Sequence, residues 1–294
     1  MSAQPRCPIC AADPAVVVET ATVRSNVAAF AAERFAVWRC GACRSIHARD
    51  EVDLDHYYRD YPFARAQPTR VLRYFHRRLW RRARAGGAPA AGRVLDYGCG
   101  SGLLIDDLRA AGVDAHGYDR YQPRFADPAV LTARYDCVIA QDVIEHVADP
   151  LALLDELGRL ARPGGTIAIG TPDAAAIELA APDRHVHALH QPYHRHLLST
   201  AALHAAAAAR GWTLVRRWRR PYTDTPIPTL NARYLLRYLA ANGDHLDAAF
   251  APPRFRWAML SPAALFDAAF GALRGGATDG TSVFRTPAAA LPVP

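Results

Sequence analysis

The sequence predicts an α/β fold that carries a small metal-binding module at its N-terminus. Between residues 93 and 221, short β-branched or apolar runs alternate with segments of helical spacing. A glycine-rich turn, Gly98–Gly102, connects the first of these runs to a helix. Four cysteines form two Cys-x-x-Cys motifs within the first 50 residues. With 51% hydrophobic residues among 294, the chain can fill a sizeable core.

Basic residues outnumber acidic ones, which gives a net charge of +7 at pH 7. All 35 basic residues are arginine, a usage typical of GC-rich coding, so the charge is not read as evidence for nucleic acid. It leaves attraction to anionic substrates open. No apolar run reaches the roughly 18 residues of a membrane span. Because residues 1–6 lack the apolar core of a secretion signal, we expect a cytoplasmic protein with reduced thiols.

The paired cysteines predict a structural zinc site. Each Cys-x-x-Cys motif can place two thiolates on one tetrahedral ion, and 29 residues separate the two motifs. The ligands are Cys7, Cys10, Cys40 and Cys43. The intervening segment is expected to close as a β ribbon of Ala15–Val18 and Phe35–Trp38. A few dozen residues cannot build their own core, and a bound metal offsets that shortage.

The central stretch runs from a strand at residues 93–96 through the glycine turn into a helix at 102–111. Glycines at alternate positions allow the backbone to approach a ligand closely. The dinucleotide-binding fingerprint requires a further glycine where this chain has Leu103. A nicotinamide-dependent oxidoreductase is therefore disfavoured.

The pattern Asp-x-Gly-x-Gly-x-Gly at residues 96–102 resembles motif I of the class I S-adenosylmethionine (SAM)-dependent methyltransferases. That resemblance implies a Rossmann-like, seven-stranded sheet in which the loop lies under the methionine part of SAM. An acid after the next strand holds both ribose hydroxyls, and here Asp119 follows the strand at 113–118. The implied SAM-binding residues are Asp96, Tyr97, Gly98, Cys99, Gly100, Gly102, Asp119, Arg120, Gln141 and Asp142.

The region after Asp119 departs from the family pattern. Only residues 120–134 precede the next strand, which is too short for the helix and third strand that family members have there. We therefore expect the third-strand region to be trimmed. With no acid in place for the adenine, the base could instead lie against Tyr121 or Phe125.

A buried strand at 135–140 leads into Gln141–Val147, which resembles the Glu-His-Val segment after the fourth strand of many small-molecule methyltransferases. Open α/β sheets hold ligands at this carboxyl end. The resemblance places Glu145 and His146 toward the substrate or in support of the loop. A packed, hydrogen-bonded His146 is the alternative.

Residues 182–200 hold five histidines, a residue type that binds transition metals. No acidic residue lies among them to complete a metal site, and a polar loop of ordinary histidines is a further possibility. Relatives in the resembled family carry a histidine or tyrosine here that lines the substrate pocket, and imidazole titrates near neutral pH. The candidate catalytic residues are His194, His196, Tyr193, His146 and Glu145.

A helix from Thr69 to Ala85 carries seven arginines with interleaved aromatics, which could bind phosphate or RNA but more often form a solvated face. The connector before it resembles the segment that lies over the SAM pocket in zinc-bearing methyltransferases. The expected division is a zinc-binding module (1–50), connector and basic helix (51–90), SAM-binding core (91–221), helical insertion or cap (222–278), and final strand with tail (279–294).

We therefore predict a SAM-dependent methyltransferase that acts on O, N or C of a small metabolite, in a specialised or cell-envelope biosynthetic pathway. The zinc module makes it similar to the zinc-bearing sugar C-methyltransferases, although this chain is shorter. The expected state is a monomer or homodimer, since the insertion could cap the site or form a dimer contact. An RNA methyltransferase and a non-catalytic SAM-binding partner subunit are the alternatives.

Overall fold

A six-stranded, mostly parallel sheet forms the centre of the chain in the computed structural model, which describes residues 6–12, 17–59, 61–65, 68–274 and 278–288. Residues 15–16 of the predicted ribbon and residues 289–294 of the predicted tail lie outside the described residues.

The strands are β1 Val17–Arg24, β2 Arg34–Cys40, β3 Ile46–Ala48, β4 Arg93–Tyr97, β5 Asp114–Tyr118, β6 Tyr135–Gln141, β7 Ala161–Pro172, β8 His196–Leu197, β9 Thr213–Trp218 and β10 Asp279–Arg285. The helices are α1 Leu54–Tyr58, α2 Arg70–Ala85, α3 Leu103–Ala110, α4 Pro150–Leu160, α5 Val186–Leu189, α6 Thr200–Ala209, α7 Ala232–Ala241 and α8 Pro262–Phe270.

The central sheet has the strand order β5-β4-β6-β7-β10-β9. Strands β5, β4, β6 and β7 are parallel, whereas β10 is antiparallel to both of its neighbours. In the described residues no strand lies beyond β5, and short 3-10 turns occupy 123–125 and 128–132 instead. The predicted Rossmann-like sheet with a trimmed third-strand region is thus confirmed.

Two apolar layers flank this sheet. Leu95, Val138 and Ile167 face α4 and α6 in one layer, and Val94 and Ile139 belong to the other, which includes α2 and α3. Each fully buried aliphatic side chain contributes roughly 1.5–3 kcal/mol relative to exposure. The predicted helix from Thr69 to Ala85 is present as α2. The side chains of Thr69 and Asp149 accept backbone N–H bonds at the beginnings of α2 and α4.

A second sheet, of order β1-β2-β3-β8, unites the N-terminal module with the core. The predicted ribbon is present, and its strands extend well beyond the expected residues. Strand β8 comes from the histidine-rich segment and pairs with β3 through Ile46 with Leu197 and His47 with His196. The N-terminal module therefore shares a sheet with residues that lie some 150 positions later.

The helical insertion packs against the N-terminal module through a short segment around Leu246. Its backbone N–H donates to the Asn26 carbonyl, and Arg24 pairs with Asp244. The insertion also holds most of the large exposed apolar side chains, including Phe255, Trp257 and Leu273. Among the described helices, none is both long and apolar enough to cross a membrane.

Candidate active site

The glycine loop lies at the carboxyl end of β4, the edge where parallel α/β sheets bind ligands. Gly98, Gly100 and Gly102 all have positive φ, with values between 52° and 79°. At Gly102 a Cβ atom would collide with the ring of Phe125, whereas at Gly100 it would meet nothing within 4 Å. Phe125 thus packs against the loop at Gly102, whereas the space beside Gly100 is open. This open space leaves room for a ligand against the loop backbone.

Asp119 connects this loop to the neighbouring strand β5. One carboxylate oxygen, Oδ2, accepts the Gly100 N–H at 2.9 Å, and Oδ1 accepts the Tyr121 N–H at 2.9 Å. Each oxygen has a second lone pair available for a hydroxyl donor. The acid that the sequence predicts after the second strand is therefore at the open surface of the glycine loop.

Carboxylates cluster at the same edge of the sheet, and one of them, Asp96, is buried. Burial, together with the charge of Asp119, raises the pKa of Asp96 to about 7. Desolvation by the surrounding protein and the neighbouring Asp279 raise the pKa of Asp142 to about 7, although the residue stays exposed. Asp142 also has a left-handed backbone conformation, with φ of 55°, which is costly for a residue with a side chain. This concentration of acids favours a cationic ligand.

The Gln141 amide packs directly against Gly170. A Cβ atom at position 170 would collide with this amide, so only glycine fits there. The Gln141 Nε2 donates to Asp142 Oδ1 at 2.8 Å. The two predicted residues therefore lie side by side at the end of β6.

The aromatic residues beside the loop differ in exposure. Phe125 is buried beneath Gly102, but Tyr121 is partly exposed and stacks on Tyr58 with ring centroids 4.1 Å apart. Arg120 lies over the ring of Tyr121. The Tyr97 hydroxyl donates a hydrogen bond to the Glu156 carboxylate, which holds the Tyr97 side chain in that position. Tyr121 is thus the aromatic surface that is accessible to a planar base.

Glu145, His146 and His194 meet at one point beside the acidic edge. Each offers a ligand atom within 4.8 Å of the others. Glu145 is fully buried, and among the described residues neither of its carboxylate oxygens has a hydrogen-bond partner. Burial raises its pKa well above the ordinary value, with a further contribution from Asp142. The sequence has no acid among the histidines of residues 182–200, but the structure brings Glu145 to His194 from another loop, and the group could hold a divalent cation.

The two histidines are neutral in this arrangement. Burial lowers the pKa of His194 to about 4 and that of His146 well below its usual range. His146 Nδ1 is 3.0 Å from the Tyr58 hydroxyl, and His194 Nδ1 is 2.8 Å from the Ala188 carbonyl oxygen. The near-neutral titration expected from the sequence is therefore not met, and burial makes both rings weaker bases than a free imidazole. Both stay candidates for a general base because a neutral imidazole can still accept a proton.

The other two predicted catalytic residues are more constrained. Tyr193 is fully buried, and its hydroxyl donates to the Tyr57 carbonyl at 3.0 Å. His196 has both ring nitrogens engaged, Nδ1 with His47 at 3.1 Å and Nε2 with the Ala148 carbonyl at 3.1 Å. Burial is the main reason that the pKa of His196 falls to about 4.

The four N-terminal cysteines converge as the sequence predicts. Their sulfurs all lie within 4.8 Å of one another, with Cys7 Sγ 3.6 Å from Cys43 Sγ and Cys10 Sγ 3.7 Å from Cys40 Sγ. A tetrahedral ion with Zn–S bonds of about 2.3 Å places its sulfurs roughly 3.8 Å apart. The arrangement fits a four-thiolate metal site.

A family model for the methyltransferase domain matches residues 63–217, more than half of the chain. The chain belongs to the methyltransferase family. This confirms the prediction of a class I SAM-dependent methyltransferase, which is drawn above from the loop and the acids around it.

Individual relatives of this methyltransferase match over shorter stretches. A ubiquinone biosynthesis O-methyltransferase of Cereibacter sphaeroides is 35% identical over 100 residues, 27% of this chain and 40% of that protein. An uncharacterized methyltransferase of Mycobacterium bovis is 35% identical over 97 residues, 26% of this chain and 49% of that protein. The chain thus spans about two fifths to one half of the length of the curated relatives it matches.

Among solved structures, the N-methyltransferase NodS of Bradyrhizobium japonicum in complex with S-adenosylhomocysteine is similar, with 13% identity and a TM-score of 0.42. The match covers 75% of this chain and 90% of NodS.

Sequence reasoning did not find three residues that lie beside the predicted site residues. Asp279 opens β10 beside Asp142, and Tyr222 faces Asp142 and Asp96. His47 lies between the cysteines and His196. A signal was present only for Asp279, which is the first residue of the segment predicted to hold the final strand and tail.

Proposed function

We propose that this chain transfers a methyl group from SAM to O, N or C of a small metabolite. One observation carries the proposal: the Asp119 carboxylate bonds to the backbone of the open glycine loop at the carboxyl ends of two adjacent parallel strands. A carboxylate there can hold the ribose hydroxyls while the loop backbone receives the amino-acid part of SAM. The relatives named for ubiquinone biosynthesis support a biosynthetic acceptor, and the pathway stays a prediction.

The other residues predicted to bind SAM differ in the kind of contact that they can make with it. Asp96 and Asp142 supply negative charge for the ammonium and sulfonium groups of SAM. Tyr121 supplies an aromatic ring for adenine, and Arg120 lies over that ring. Tyr97, Cys99 and Gln141 line the site beside these residues.

SAM affinity should increase as the pH rises from 6 to 8. Asp96 and Asp142, with pKa values of about 7, carry protons below that pH and ionise above it, and a cation binds better to the ionised form. Each carboxylate that contacts the ligand contributes up to about tenfold over this range. Isothermal calorimetry with SAM should show the trend, and Asp142→Asn should reduce it. An affinity that does not change with pH would contradict the role of these acids.

Methyl transfer is an in-line displacement in which the acceptor atom bonds to the methyl carbon while the carbon–sulfur bond breaks. The electron pair of that bond stays on sulfur. Because the methyl group is already activated, the protein mainly aligns the acceptor and excludes water. For a protonated acceptor, we propose His194 or His146 as the group that takes the proton. The buried Glu145 carboxyl lies within 4.8 Å of both rings, while Tyr193 and His196 support the loop.

The proposal is tested by binding and turnover with purified protein. Calorimetry should detect SAM and S-adenosylhomocysteine but not NAD. Incubation with SAM and a panel of phenols, amines and enolisable acceptors should release S-adenosylhomocysteine. Binding without turnover on any acceptor would favour the non-catalytic SAM-binding subunit.

The arginines of α2 do not favour RNA as the acceptor. Arg73 and Arg77 pair with Asp107, and Arg78 donates to the Asp224 carbonyl. Arg82 is buried and donates to the Arg220 and Pro221 carbonyls. These side chains hold the helix to the core, which leaves few of them for phosphate contacts.

We also propose that Cys7, Cys10, Cys40 and Cys43 bind one structural Zn²⁺. Elemental analysis of the purified protein should find about one zinc per chain. Cys40→Ser should lose the metal and destabilise the N-terminal module, because its small apolar cluster depends on the cross-link. Cys137→Ser, a change of a buried thiol in β6, should keep the zinc. Equal metal content in both variants would contradict the assignment.

A further inference from the structure

His47 lies between the cysteine centre and the histidine-rich segment. Its side chain is almost completely buried, with 1% exposure. Nε2 is 3.4 Å from Cys7 Sγ, and Nδ1 is 3.1 Å from His196 Nδ1. One imidazole thus contacts a proposed metal ligand and a candidate active-site histidine at the same time.

Its partner His196 is held on both sides. The Ala148 carbonyl can only accept, so His196 donates to it through Nε2. Ala148 follows closely after Glu145 and His146 in the chain, which places the His196 ring between the N-terminal module and the loop of the active site.

Backbone contacts run parallel to this side-chain path. The Ala48 N–H donates to the Arg195 carbonyl at 2.8 Å, and the Ser199 hydroxyl donates to the Cys43 carbonyl at 2.6 Å. On the opposite side, the Arg195 N–H donates to the Glu145 carbonyl at 2.7 Å. Residues 195–199 therefore bridge the cysteine centre and the Glu145 loop directly. A displacement of the cysteines would move this bridge.

We propose that His47 is a positioning residue that couples the four-cysteine centre to the active site by fixing His196 and the segment that carries His194. The inference rests on the proposed function. His47 touches no reacting atom in this scheme, and it acts through His196. Residues that orient ligands and catalytic groups in this way typically contribute 10- to 100-fold to activity or metal affinity.

The test uses the full-length, zinc-loaded protein with His47→Ala and His47→Gln. We expect unchanged zinc content and unchanged SAM affinity, but a loss of kcat of about 10- to 100-fold in His47→Ala with KM for SAM retained. Amide hydrogen exchange at residues 195–198 should become faster, while β4–β7 stay protected. His47→Gln should recover part of the kcat, because its amide can still bond to His196. His204→Gln is the matched control, since His204 lies on α6, is half-buried and bonds Ser282 of β10, away from this path.

Two outcomes would overturn the proposal. Loss of zinc in both His47 variants would make His47 a support of the cysteine centre and not of the active site, and unchanged exchange and kcat with zinc retained would make it a packing residue. If the unmodified protein shows no methyl transfer, the proposed function fails. The exchange measurement still tests the coupling in that case, because it does not depend on turnover.

Discussion

Replacing Asp119 by asparagine should weaken SAM binding by roughly 30- to 100-fold. The carboxylate is expected to accept both ribose hydroxyls, and charge-assisted hydrogen bonds contribute about 2–3 kcal/mol. The amide is nearly isosteric and keeps one acceptor oxygen, so the Gly100 or Tyr121 contact and the fold should persist. Calorimetry with SAM and thermal unfolding of the ligand-free protein measure the two effects separately.

Asp127→Asn is the matched control for this change. Asp127 is exposed and accepts the Ala129 N–H at the start of a nearby 3-10 turn, in the same segment of the chain. It should leave SAM affinity unchanged. Equal losses in both variants would show that the effect of Asp119 is general electrostatics and not ribose contact.

Gly100→Ala should abolish detectable SAM binding while the protein stays folded. The new methyl group would project into space that is empty in the structure and that the ligand is expected to occupy. The positive φ of 52° adds a strain of about 1–2 kcal/mol, because an alanine adopts this conformation poorly. Calorimetry and thermal unfolding again distinguish lost binding from lost stability.

Gly112→Ala is the matched control for Gly100→Ala. Gly112 also has positive φ, of 79°, and a Cβ there would likewise meet nothing within 4 Å. It follows α3, away from the glycine loop. Both variants should lose similar stability, and only Gly100→Ala should lose SAM affinity. If Gly112→Ala reduces the affinity equally, the position of the cofactor site is wrong.

The parts of the site that are formed by residues close together in the chain could be predicted from the sequence. The strand, glycine turn and helix around Gly100 are encoded within residues 93–110, and Asp119 follows directly after the next strand. The absence of the third strand could be predicted from the short length of residues 120–134. These features are local, so hydrophobic spacing and turn residues are sufficient to find them.

Contacts between distant segments were not accessible in this way. Glu145 meets His194 because the Arg195 and His196 N–H groups bond the Glu145 carbonyl, a pairing that no periodicity encodes. Asp279 and Tyr222 reach the acidic edge only once β10 has inserted between β7 and β9. A residue pattern states which face of an element is apolar, but it does not state which element lies opposite.

The antiparallel pairing of β3 with β8 has a consequence for biosynthesis. His47 and His196 are 149 residues apart. At a synthesis rate of roughly 5–20 residues per second, the emerging N-terminal segment waits about 7–30 s on the ribosome before its fourth strand is available. During that interval its cysteines are accessible to metal, so ion capture can precede completion of the sheet.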